Sequence, residues 1–206
     1  MIVEHRCYQL HMGKLPAYLA LFQLPGVLPR LLRHMRGYWI AESGTVNRVH
    51  HIWSYADRAE RAAARQQMAA DPGMGPFLAG ALPLLQAQES RVLTGTITAP
   101  DAAGSGGVFD LLSLELDASL ESKGLLAGLS GKIGEKAAIV AALRESALEG
   151  DTLVGSALFI LRHASFAARD QAVPAIETLL ADARRDGWLR NAGACFILPA
   201  PFSPWQ

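Results

Sequence analysis

The stretch VNRVHHIWSYAD at positions 46–57 sets two histidines side by side in a run of β-branched and aromatic residues. Neighbouring imidazoles suggest a metal site or a general base. Such a run reads as a strand, and strand side chains alternate between faces with a period of two. Val49, His51, Trp53 and Tyr55 therefore share one face, and His50, Ile52 and Ser54 the other. The two imidazoles cannot hold one ion from the same side and must be read as separate residues. The opening strand IVEHRCYQL sorts likewise into Ile2, Glu4, Arg6, Tyr8 and Val3, His5, Cys7, Gln9. His5, Cys7 and His50 carry zinc-type donor atoms. No ligand spacing accompanies them, and a thiol of this kind is more often an inert part of a core.

The elements that must position these residues recur in two halves. In the first, Ile2–Leu10 reads as a strand and Leu15–Met35 as a helical region interrupted at Pro25, Gly26 and Pro29. Gly37–Glu42 and Val46–Tyr55 are strands. A helix starts at Asp57, where Asp57 and Glu60 form a capping box, and stops at Pro72-Gly73. A short helix near Phe77–Leu85 and a strand at Gln88–Leu93 complete a β-α-β-β-α-β order, the ferredoxin-like arrangement. TGTITAPDAAGSGG, residues 94–107, is small, polar and Gly/Pro-rich and reads as a linker. After it, the strand at 108–116, the strand and helix start at 156–170, the helix at 175–187 and the strand at 189–198 repeat the pattern. The offset of about 106–108 residues marks a tandem duplication. The segment 137–148 has helical propensity, but the repeat calls for a strand at about 138–144. The domains expected are 1–95, a linker at 96–107, 108–200 and a tail at 201–206.

Half of the 206 residues are hydrophobic, enough for a substantial core, and 19 basic residues balance 19 acidic ones. Without a basic tract, nucleic acid and anionic membranes are poor partners, and no apolar stretch approaches the ~20 residues of a membrane span. Cys7 and Cys195 fit no disulfide framework, and the opening alternation is no secretory signal. A cytoplasmic protein is expected. The Gly104–Gly107 run is not followed by the residues of a phosphate loop, and Arg58–Arg65 reads as a solvated helix face.

The first half resembles the NIPSNAP family. The likeness rests on E-x-R-x-Y at Glu4, Arg6 and Tyr8, then on MGKLPAYLALF, GYWIAESGTVNRVHHIWSYADRAER and ADPGMGPFLAGALPLLQAQESRVL. It runs almost unbroken over 2–94, with the second half a degenerate copy. The resemblance implies the dimeric α+β barrel class, in which two ferredoxin-like units pack sheet to sheet around a cavity. The fold class expected is thus α+β, two tandem ferredoxin-like domains forming such a barrel within one chain. The resemblance implies no settled reaction. It does imply that Glu4, Arg6, Tyr8, His51, Trp53 and Tyr55 face the space between the sheets, with His5 and His50 beneath the helices.

On that placement the six residues are the candidate ligand-binding set, and His51 and Arg6 the candidates for catalysis. Arg6 would bind a carboxylate or enolate oxygen, His51 would act as base or hydrogen-bond donor, and Trp53 with Tyr55 would form an apolar wall. The alternative is a satisfied polar network, with Glu4–Arg6 an ion pair and His51 capped by a hydroxyl. In the second copy Glu4 becomes Asp110, Arg6 Leu112, Tyr8 Leu114, His51 Phe159, Trp53 Leu161 and Tyr55 His163. One site per chain is therefore expected, lined by the first half and walled by the second. The function expected is binding of a small apolar or oxygen-bearing molecule between the sheets, extending to cofactor-free chemistry. No metal or cofactor is expected, and a homo-oligomer is compatible with the chain. The competing class is a non-catalytic interaction or scaffold protein whose inter-sheet space is filled by its own side chains.

Overall fold

The computed structural model describes residues 1–100, 106–116, 122–145 and 155–206. Residues 104–105 of the glycine-rich run and 146–148 of the ambiguous segment lie outside them. The chain forms two units: Met1–Val92 with Pro199–Gln206, and Leu93–Leu198.

Unit 1 carries β1 (Ile2–Leu10), α1 (Leu15–Ala20), α2 (Val27–Leu32), β2 (Met35–Ala41), β3 (Arg48–Tyr55), α3 (Arg58–Ala70), α4 (Gly75–Ala81) and the first part of β4 (Leu85–Ile97). The expected helical region of 15–35 is two short helices. Gly26 between them has φ +75° and caps α2, a left-handed geometry that suits glycine. Pro29 falls in the first turn of α2, where backbone N–H groups have no intrahelical partner. α3 begins as its capping box requires. The Asp57 carboxylate accepts from the Glu60 amide at 2.8 Å, and the Glu60 carboxylate accepts from the Ala56 amide. Asp57→Ala should therefore cost about 1 kcal/mol, read as a lowered urea midpoint with an unchanged slope.

β3 pairs antiparallel with β1 on one side and β2 on the other. The register sets Arg6 opposite His51, Cys7 opposite His50 and Tyr38 opposite His51. The unit's core holds Tyr18, Phe22, Leu31, Tyr38, Trp53 and Phe77. The terminal segment, expected as a tail, belongs to this core. Trp205 is fully buried and donates its indole N–H to the Arg36 carbonyl at 2.9 Å, while Phe202 stacks on Phe22 at 3.9 Å.

Unit 2 carries β5 (Val108–Leu116), α5 (Ser122–Gly134), β6 (Ala138–Glu145), β7 (Gly155–His163), α6 (Phe166–Arg185) and β8 (Leu189–Pro199, whose Pro199 falls in unit 1). β5 lies between β8 and β7, and β6 pairs with β7. Ser165 caps α6 by accepting from the Ala168 amide. The expected linker begins too early: β4 continues to Ile97, and Leu93–Ile97 pairs with β6. Thr94, Thr96 and Ile97 are β-branched and favour extension. The helical propensity of 138–145 loses to pairing on both edges of β6, which buries Val140, Ala141 and Leu143. Among the described residues, no helix is long and apolar enough to cross a membrane.

Candidate functional site

The face that was expected to look away from the helices lies beneath them. Arg6, Tyr8, His51 and Trp53 line a cavity of about 170 Å³ within unit 1, together with Tyr18 and Phe22 from the α1 region, Leu31 of α2, Met68 of α3 and Phe77 and Leu78 of α4. Here α3 supplies arginines to Glu4 and the α1 region supplies a phenol to Tyr38, so several of the polar groups find partners beneath the helices.

His5, Cys7 and His50 occupy the opposite face of the sheet and are buried. The His5 and His50 rings lie parallel, and His5 Nε2 is 3.2 Å from His50 Nδ1. Those nitrogens bond to each other rather than converging on an ion; among the described residues no three His, Cys, Asp or Glu side chains are placed to hold a metal.

Glu4 is 1% exposed and anchors one end of the site. Its Oε1 accepts from Arg61 Nη2 at 2.7 Å, Ser90 Oγ at 2.6 Å and Arg6 Nε at 3.1 Å, with Arg65 Nη1 at 3.5 Å. Burial alone would raise the Glu4 pKa; the Arg61 hydrogen bond, the Arg6 charge and Ser90 outweigh it, so the carboxyl sits below its ordinary value. The run Arg58–Arg65 is thus not a wholly solvated face: Arg61 and Arg65 turn to Glu4. In unit 2, Asp110 holds the matching position, bound by Arg169 at 2.9 Å and by His163 Nε2 at 3.1 Å. Arg61 and Arg169 stand 108 residues apart, a correspondence that could have exposed the buried clamp.

His51 has a fixed tautomer. The Trp53 indole N–H, which can only donate, lies 2.6 Å from His51 Nδ1. Nδ1 must accept, so the proton of the neutral ring is on Nε2. Burial, reinforced by the Arg6 charge, holds the imidazole pKa well below its usual value and the ring neutral. Tyr38 stacks on it with centroids 4.6 Å apart, and Tyr8 meets it edge-on at 4.7 Å. Nε2 is buried and has no hydrogen-bond partner among the described residues. His51 is therefore arranged as a donor; its one basic lone pair already serves Trp53, which is the capping group in place of a hydroxyl.

Arg6 Nη1 donates to the Tyr8 hydroxyl at 2.7 Å, and the Tyr18 and Tyr38 hydroxyls share a hydrogen bond of 2.8 Å. Burial raises the pKa of all three phenols, so they are neutral near pH 7. Two of the six expected residues stand apart from the cavity. Glu4 is occupied by the arginines, and Tyr55 stacks on His34 with its own pKa pushed up to about 12 by burial. Sequence reasoning missed Tyr18, Phe22, Tyr38 and Phe77, although the register of GYWIAE against HHIWSY places Tyr38 beside His51. The counterparts Leu112, Leu114, Phe159 and Leu161, expected as a wall, belong to unit 2. They are packed in the core of unit 2 with Leu129, Ile133, Ile176 and Leu180.

The NIPSNAP family model matches residues 3–100. Protein NipSnap homolog 3A of Homo sapiens is 34% identical over 91 residues, which are 43% of this chain and 37% of that protein. The chain therefore spans little more than a third of that relative. A solved, uncharacterized NIPSNAP domain protein from Burkholderia xenovorans is 39% identical over 49% of this chain and all of its own, at a TM-score of 0.43. A putative monooxygenase from Lactobacillus acidophilus NCFM matches 97% of this chain and 93% of its own at a TM-score of 0.64 and 12% identity. A second, from Fusobacterium nucleatum, matches 97% of this chain at 0.63 and 7% identity. These two share the ferredoxin-like α+β fold of the chain, and at such identities they speak for fold alone.

Proposed function

The chain belongs to the NIPSNAP family, and from that premise we propose that unit 1 binds a small, largely apolar molecule carrying an oxygen acceptor. The observation that supports this is His51 Nε2–H, buried beside the cavity with no protein partner among the described residues. An orphaned buried donor costs about 1–3 kcal/mol, and a ligand oxygen would recover it. The volume is adequate, since an apolar cavity of roughly 150 Å³ accommodates benzene. His51 and Arg6 are also donors of the kind that stabilise an enolate or phenolate oxygen, which is how binding would extend to cofactor-free chemistry. A duplicated origin for the two units, a cytoplasmic setting and assembly into a homo-oligomer belong to the same proposal.

The test uses a one-ring ketone, acetophenone, added to the whole chain labelled with ¹⁵N. The Trp53 indole N–H, tied to His51, is the local reporter. Its resonance should shift on titration, and His51→Leu should weaken binding tenfold or more. An interaction protein with no receptor site expects no shift with any such compound.

A further inference from the structure

Resting on that reading, we infer that the cavity selects a monoanion about one ring in size, a planar conjugated carboxylate or enolate, with its charge at Arg6 and its ring among the aromatic walls.

The charge follows from how Arg6 is held. Its Nε touches Glu4 at 3.1 Å and its Nη1 donates to the Tyr8 hydroxyl, a neutral acceptor; Nη2 makes no hydrogen bond to the described residues. Glu4 Oε1 has shorter contacts with Arg61 at 2.7 Å and Ser90 at 2.6 Å. A carboxylate shared in this way compensates Arg6 only in part. Arg6 is also the sole charged side chain among the described residues lining the cavity, which include no acid. A guanidinium with spare N–H groups at an otherwise uncharged cavity is matched by an anion, and a planar carboxylate suits its geometry.

The ring follows from the walls. Tyr8, Tyr18, Phe22, Tyr38, Trp53 and Phe77 all face the space, and aromatic side chains favour aromatic partners in offset or edge contact. A purely aliphatic anion would fill the volume without those contacts. His51, paired opposite Arg6 across β1 and β3, adds a second donor to the cavity lining. The mouth is marked by Leu82, which lines the cavity and is 63% exposed, so a flat molecule would enter past an apolar lip.

Benzoate and benzamide separate charge from shape, since they differ little in size and both are planar. Calorimetric titration of the whole chain should show benzoate binding at least tenfold tighter. Arg6→Gln should bring benzoate down to the level of benzamide, with benzamide losing far less than the tenfold or more lost by benzoate. Glu4 keeps Arg61, Arg65 and Ser90 in that variant, and Arg6→Lys, which retains the charge, should keep most of the preference. Equal affinity for the two compounds in the native chain, or an equal loss of both in Arg6→Gln, would overturn the anion assignment and leave the cavity reading intact. If neither compound nor acetophenone moves the Trp53 indole resonance, the receptor reading itself falls, and this inference with it.

Discussion

Replacing Arg169 by methionine should destabilise the chain by about 3–5 kcal/mol, the cost of stripping a buried charge of its partner. Asp110 is 3% exposed, and its two oxygens are spanned by the Arg169 guanidinium. Without it the carboxylate retains, among the side chains of the described residues, His163. Arg61→Met in unit 1 should cost less, about 1–3 kcal/mol, because Glu4 keeps Arg6, Arg65 and Ser90. The double variant Asp110→Leu with Arg169→Met should recover much of the loss, since removing both charges leaves no unpaired ion. Urea unfolding of the four proteins measures the ordering. A loss below 1 kcal/mol for Arg169→Met, or no recovery in the double variant, would mean that the clamp contributes nothing the solvent does not replace.

The contrast between the clamps and the cavity also shows what was legible in the sequence. Element order could be read because it follows from periodicity and caps: the Asp57 box and the Ser165 cap both start helices. The strand at β6 could be read only through the repeat, because its local propensity points to a helix and its pairing partners are distant in sequence. The side that each face takes was not legible. Alternation separates Arg6 and His51 from His5 and His50 correctly, yet it is blind to which set the helices cover. That choice depends on whether polar side chains find partners there. Those partners, Arg61 and Tyr18, come from helices whose rotation no strand pattern records. The tail escaped for a similar reason: Trp205 follows Pro204 in a short run without periodicity, and its buried indole finds its acceptor in the Arg36 carbonyl, distant in sequence.

The asymmetry of the two units has a physical meaning beyond loss of polarity. An acid–arginine clamp is present in both, with Asp110 and Arg169 at the positions that Glu4 and Arg61 hold in unit 1. Arg6, Tyr8, His51 and Trp53 are replaced by Leu112, Leu114, Phe159 and Leu161, which close-pack. A clamp found in both units acts on the architecture of each, whereas the set found in unit 1 leaves open space and a donor without a partner among the described residues. The clamp accordingly acts on stability, and the histidine, in the proposed function, acts on recognition.

The chain should also lose stability in acid, beginning near pH 6.5, and histidines rather than carboxylates should drive it. His50 is buried, and its pKa is lowered from 6.5 to about 4, first by burial and then by the charge of Arg48. His5 moves the same way through burial and the neighbouring His50, and His51 through burial and Arg6. The folded chain thus refuses protons that the unfolded chain accepts below about pH 6.5. In that interval the unfolded state binds more protons, so stability rises with pH and falls on acidification. For His50 the interval from 6.5 to about 4, at ~1.4 kcal/mol per pH unit, comes to about 3 kcal/mol once pH 4 is reached. Contributions from His5 and His51 carry the same sign. Glu4, whose pKa is lowered from 4.5, withdraws its stabilisation only as pH falls below that value, so the range from 6.5 to 4.5 isolates the imidazoles. Urea unfolding at several pH values between 8 and 4.5 should show a falling midpoint across that range. His50→Gln, which leaves His5 a hydrogen-bonding neighbour but removes one titrating group, should flatten the slope. A native profile that stays level from pH 7 to pH 5 would show that protonated imidazoles are accommodated, and that the His5–His50 face is more open to water than its burial implies.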